Sequence, residues 1–123
     1  MRINKKSFWR ERWNILFDIL IMVIDTIIVY FFYKNIILTT ILISLVSITA
    51  LIKWKSKITL IIFLISGIIG SSLEIIIINS GAWKYSLLNF INIPIWLILL
   101  WGVTGAALYQ LAIEIKKLGV KEK

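Results

Sequence analysis

Neither cysteine nor histidine occurs among the 123 residues. Their absence excludes disulfides, thiolate nucleophiles, thiol or imidazole metal ligands and histidine proton shuttles. The chain's single proline, Pro94, falls where a helix can begin, since a missing N–H costs nothing in a first turn. No glycine-rich phosphate loop follows a strand, so no nucleotide site is indicated. Acidic side chains are few, six against fourteen lysines and arginines. Chemistry is left to those carboxylates, to lysine, tyrosine and hydroxyls, or to a bound ligand, and neither a metal nor a cofactor is expected.

What is abundant is hydrocarbon. Hydrophobic residues make up 60% of the chain and the mean hydropathy is +0.96, well above an ordinary soluble domain. Four apolar runs, at 14–33, 36–52, 58–78 and 93–113, can each cross a hydrocarbon core of about 30 Å as a helix rising about 1.5 Å per residue, the second only barely. The expected fold is an all-α integral membrane protein, a single domain of four transmembrane helices in a bundle. A cleavable signal peptide does not fit the first run, which is long, contains Asp18 and Asp25 and has no small-residue cleavage site.

The net charge of +8 is a matter of topology, not nucleic acid. Twelve of the fourteen cations precede the first run, join the second to the third, or follow the fourth, and only Lys34 and Lys84 lie in the other two loops. The positive-inside rule then places both termini in the cytoplasm of a multi-pass cell-membrane protein whose basic rim faces anionic lipid. Residues 1–13 read as a basic amphipathic lead-in, with Trp9 and Trp13 at headgroup level and Trp54 doing the same in the "KWKSK" loop. Of the two outer connections, "YKN" is a tight turn, whereas 79–92 is long and carries tryptophan and tyrosine. The longer loop is therefore the expected functional one.

Residues three, four and seven apart share a helix face. The third run aligns Gly67, Gly70, Ser71 and Glu74, and the fourth aligns Gly102, Gly105, Ala106 and Tyr109. Small residues at that spacing let helices approach closely in lipid, so these two runs are expected to be neighbours with Glu74 on the packed side. The stripes serve packing first and a homodimer interface second. Thr40, Ser44 and Ser47 of the second run are expected to bond their own helix carbonyls. The first run aligns Asn14, Asp18 and Asp25. Asp18 is placed to pair with Arg10, Arg12 or a lysine of the middle loop, whereas Asp25 sits near mid-span, where a charge costs about 2.5–3.5 kcal/mol. Glu74 has two readings: a structural ion pair with Lys84, or a partly desolvated acid able to give or take a proton. Trp83, Tyr85, Trp96 and Trp101 surround it, either as an aromatic belt, which is the reading for Trp96 alone, or as walls for a cationic or polyene ligand.

From Glu74 onward the pattern E, G-x-W-x-Y, P-x-W, W-G resembles the motif block of a group of small prokaryotic integral-membrane proteins. It is distantly similar to the acid, G-x-W-x-Y and proline pattern of membrane carotenoid enzymes of the lycopene-cyclase type. The matching residues are Glu74, Gly81, Trp83, Tyr85, Pro94, Trp96, Trp101 and Gly102, spread over about a quarter of the chain. The resemblance implies non-redox acid chemistry on an isoprenoid alkene with Glu74 as proton donor. Those enzymes are larger bundles with more acids, so four spans would enclose a long polyene only as a dimer.

Three function classes follow. The first is a protein that binds or acts on a lipid or isoprenoid at an outer-leaflet site of Glu74, Trp83, Lys84, Tyr85, Trp96 and Trp101. The second is a small dimeric proton-coupled carrier, with Asp18, Asp25 and Glu74 on its pathway. The third is a non-catalytic assembly or accessory subunit. Membrane lipids are partners in all three.

Overall fold

The computed structural model describes residues 5–120 and is entirely helical apart from its turns: α1 (Lys5–Phe32), α2 (Ile36–Trp54), α3 (Lys57–Asn79) and α4 (Trp96–Lys117). Each of the four is long and apolar enough to cross a membrane. Arg2, Lys121 and Lys123, counted above on the basic side, lie outside the described residues.

The two short turns are set by side-chain caps. Asn35 accepts the Leu38 N–H at 3.0 Å and starts α2. Ser56 accepts the Thr59 N–H at 3.2 Å and starts α3. Each satisfies one of the N–H groups that a helix start leaves without a partner, a need more acute in lipid than in water. Between α2 and α3 the chain reverses through Lys55, whose φ of 48° puts it in the left-handed region.

Two helix boundaries differ from the sequence expectation. The lead-in is not separate from the first span: α1 runs unbroken from Lys5, with no proline or glycine to interrupt it and an inward seam that continues back to Glu11. Conversely α4 begins at Trp96, not at residue 93. Phe90 and Ile93 exchange backbone hydrogen bonds around Ile91 and Asn92, both at positive φ, and the Asn89 carboxamide oxygen accepts the Ile95 N–H at 2.9 Å. That turn occupies the chain until Pro94 has passed.

Helix α4 is the shared wall. It packs against each of the other three, whereas α2 barely meets α3, and α1 and α3 do not pack on each other among the described residues. The α3–α4 seam is the tightest. A Cβ added at Gly67 would lie 2.9 Å from the Ile98 carbonyl oxygen, and one at Gly102 would lie 2.8 Å from that of Phe63. Ser66 occupies the space beside Gly105, and Ser71 and Ala106 are buried. This is the backbone-to-backbone approach that small residues allow in lipid.

Large apolar side chains are widely exposed, and polar side chains are buried beside the apolar core. Ile37, Ile41, Leu45, Ile48 and Ile52 are exposed along one side of α2, while Glu11, Asp18, Asp25, Thr39, Ser47, Thr59, Gln110 and Glu114 are buried. Exposed hydrocarbon of this extent suits a lipid surround, and the interior is where the polar groups find one another. Two apolar clusters separate them: Ile28, Ile43, Ile93, Trp96 and Leu97 towards the α4 N-terminal end, and Ile21, Ala50 and Val103 further along.

Candidate functional site

Glu74 stands little more than one turn before the end of α3, on the stripe that faces α4. Its position is governed by Gly70, one turn earlier. A Cβ at Gly70 would fall 2.2 Å from the Trp101 indole, so the absence of a side chain there lets the ring lie directly on α3. From that seat the Trp101 Nε1–H donates to a Glu74 carboxylate oxygen at 3.0 Å. Tyr85, in the long loop, donates its hydroxyl proton between both oxygens, 2.9 Å from each. The tyrosine is in turn braced edge-on by Trp96, ring centroids 6.1 Å apart at 90°. Burial first, and then the hydrogen bond to Glu74 and its charge, push the Tyr85 phenol above its ordinary value, so it stays a donor.

These groups border a recess of about 250 Å³ lined by Glu74, Tyr85, Leu97, Leu100, Trp101 and Thr104. The walls are mostly apolar, with the Glu74 carboxylate, the Tyr85 hydroxyl and Thr104 as the polar lining. Two donors leave a carboxylate with free lone pairs. A molecule with an apolar body and a donor or cationic head matches this arrangement.

The structure gathers Glu74, Tyr85 and Trp101 and leaves other expected residues outside. Lys84 is exposed and makes no ion pair with Glu74; among the described residues the only ion pair is Arg10 with Glu11, at 3.6 Å. The loop points its tyrosine inward instead, because the phenol can bury its ring where an ammonium would be stripped of water. Trp83 is exposed and does not line the recess. Trp96 is not part of an interfacial belt: it is 3% exposed and supports Tyr85 from behind. Sequence reasoning missed Leu97, Leu100 and Thr104, which carry no signal beyond their place on the helix face next to Trp101.

A second polar group lies at the other end of the bundle. Asp18 was expected to pair with arginine or lysine, but its Oδ1 accepts the Trp54 indole N–H at 2.9 Å, and its side chain neighbours that of Glu114 on α4. Trp54 is thereby turned towards α1 and is half-buried. Lys53 donates to Asn14 at 3.1 Å, Asn14 to Glu11 at 3.2 Å. Glu11 and Glu114 went unrecognised. The signal for Glu11 was its seven-residue distance from Asp18, whereas Glu114 is followed by lysines and looks like surface. Asp25 is buried, with neither oxygen hydrogen-bonded. Thr40, Ser44 and Ser47 bond the carbonyls four residues before them, as expected.

No protein-family model, curated protein or solved structure matches this chain.

Proposed function

We propose that the chain is a multi-pass protein of the cell membrane that binds a lipid or isoprenoid amphiphile between α3 and α4 in the outer leaflet, with Glu74 anchoring a hydroxyl or ammonium head. The observation that carries this reading is the pairing of an apolar recess with a carboxylate already oriented by Tyr85 and Trp101. An orienting shell of this kind holds an acceptor in place. It favours binding over proton donation, because both neighbours spend their protons on Glu74. An isoprenoid is the amphiphile implied by the resemblance of the G-x-W-x-Y block. Acid catalysis on it would require Glu74 to be loaded with a proton after the head displaces Tyr85.

Orientation belongs to the same proposal. The basic end, with Lys53, Lys55 and Lys57, faces the cytoplasm, which puts the recess in the outer leaflet. With no native cysteine to interfere, a membrane-impermeant thiol reagent should label Ser86→Cys on intact cells and Ser56→Cys only after permeabilisation. Reversed labelling would move the recess to the inner leaflet. The ligand itself is tested by native mass spectrometry of protein extracted in mild detergent. The wild-type chain should carry a lipid that Glu74→Gln and Trp101→Phe lose. An identical lipid complement in all three removes the binding reading and favours an accessory role.

A further inference from the structure

The inward seam of α1 is a heptad pattern with an unusual content. Ile21 and Ile28 occupy one of its positions, and Glu11, Asp18 and Asp25, seven residues apart, occupy the other. All three acids are nearly inaccessible, at 2%, 0% and 1% exposure, and Glu114, 4% exposed, joins them from α4. They form a row running from the basic end of the bundle to mid-span, with steps of about 10 Å along the helix. We propose that this row is a proton-binding and proton-access path, entered beside Lys53 and ending at Asp25.

The chemistry of the buried groups supports a proton as the ligand. The Asp18 and Glu114 carboxyls are close neighbours, and two carboxylates are acceptors only, so neither can supply the other's missing donor unless a proton is bound between them. Asp18 Oδ2 and Glu114 Oε2 have no hydrogen-bond partner, nor has Glu11 Oε2. Both Asp25 oxygens are likewise without one. Buried oxygens left so under-supplied with donors are where a further proton or a proton-carrying water would be bound. A metal is a poorer occupant, since no group of three acidic side chains among the described residues is arranged to hold one.

Among the described residues only the outermost member of the row, Glu11, has a cation at ion-pair distance, Arg10 at 3.6 Å. Around Asp18 the charged groups are Glu11, with Arg10 at its outer side, then Glu114 and Lys53. Lys53 is exposed and spends a proton on Asn14. Deeper in, the helices packed on α1 offer Asp25 no counter-charge: α2 carries only Lys53, and the titratable groups of α4 are Tyr109, Glu114, Lys116 and Lys117, of which Glu114 belongs to the row and both lysines lie at the far end. An acid that costs several kcal/mol at mid-membrane and makes no hydrogen bond has no structural use. Exchange of a proton with the basic end gives it one. Between Asp18 and Asp25 the step is longer than a hydrogen bond, so it proceeds through transient water.

The path is independent of the recess at Glu74 and is tested without it. A membrane-permeant carbodiimide modifies only protonated carboxyls in apolar surroundings, and the modified residue can be found by peptide mass spectrometry. In sealed vesicles of known orientation, Asp25 should be modified, and raising the pH at the basic-end face alone should suppress the modification. Asp18→Asn should slow that response by about a hundredfold, the low end for loss of a positioned proton-transfer group. The proposal is overturned if Asp25 is never modified, if its modification follows the pH of the opposite face or of neither, or if folded Asp18→Asn responds at the wild-type rate. The sidedness arm needs no variant, so a misfolded Asp18→Asn leaves the test intact.

Discussion

The two ends of the bundle treat carboxylates in opposite ways. At the loop end a single acid, Glu74, receives two donors and sits at the edge of a recess with room beside it. At the basic end and towards mid-span, four acids share the Trp54 indole, one asparagine and a peripheral arginine, and each keeps at least one oxygen without a partner. A carboxylate whose neighbours orient it suits the proposed binding of a donor head, whereas acids crowded together with too few donors suit the proposed uptake of protons. Both arrangements rest on α4, which supplies Trp101 to one and Glu114 to the other.

The comparison can be broken most forcefully at the seam that makes the recess. Gly70→Leu should expel the Trp101 ring, and Gly102→Leu should press a side chain on the Phe63 carbonyl, each costing about 3 kcal/mol by overpacking. Unfolding in mixed detergent micelles measures this, and Gly70→Leu should also change tryptophan fluorescence. Wild-type stability in both would mean that α3 and α4 are not in contact.

Smaller and of opposite sign are two changes in the acid row. Trp54→Phe withdraws the donor from Asp18 and should cost about 1–3 kcal/mol, the penalty for stranding a buried acceptor. Asp25→Val, by contrast, replaces an unpartnered acid with hydrocarbon and should leave the fold as stable or make it more so. If Asp25→Val destabilises as Trp54→Phe does, then Asp25 has a structural partner and the contrast between the two ends weakens.

At the recess, Tyr85→Phe should cost about 1.5 kcal/mol, the low end for a hydrogen bond to a charged group, and loosen the amphiphile without unfolding the chain. The least of the effects is a dependence on alkaline pH. Because the Tyr85 phenol is raised above its ordinary 10.0, the folded state holds that proton more tightly than the unfolded state does. Its contribution is therefore complete below pH 10 and lost as the pH rises beyond it. Wild-type protein should lose stability above that pH more steeply than Tyr85→Phe, and parallel curves would detach Tyr85 from Glu74.

Much of the scaffold was legible because hydropathy and charge act along the chain. The four spans, the glycine stripes and the inward placing of Glu74 and Asp18 follow from a period of 3.6 residues. Lys84 and Tyr85 are adjacent and both suit an acid, so choosing between them required the loop's path. Trp54 and Trp96 looked like interfacial residues because tryptophans near span ends usually are, and only the tertiary structure turns Trp54 towards Asp18 on α1 and buries Trp96 beside Tyr85. Glu11 and Glu114 lie among lysines and arginines, where composition suggests a solvated surface.

What the sequence determined by itself is which stretches are apolar enough to span, which faces of them are small or polar, and which end is basic, since each depends only on residue type and spacing. The tertiary structure decided that α4 is the wall against which the other helices pack, that Trp101 lies on Gly70 and reaches Glu74, and that Glu114 meets Asp18. Those depend on helix rotation and on contacts between residues far apart in the chain, for which periodicity supplies a face but not a partner.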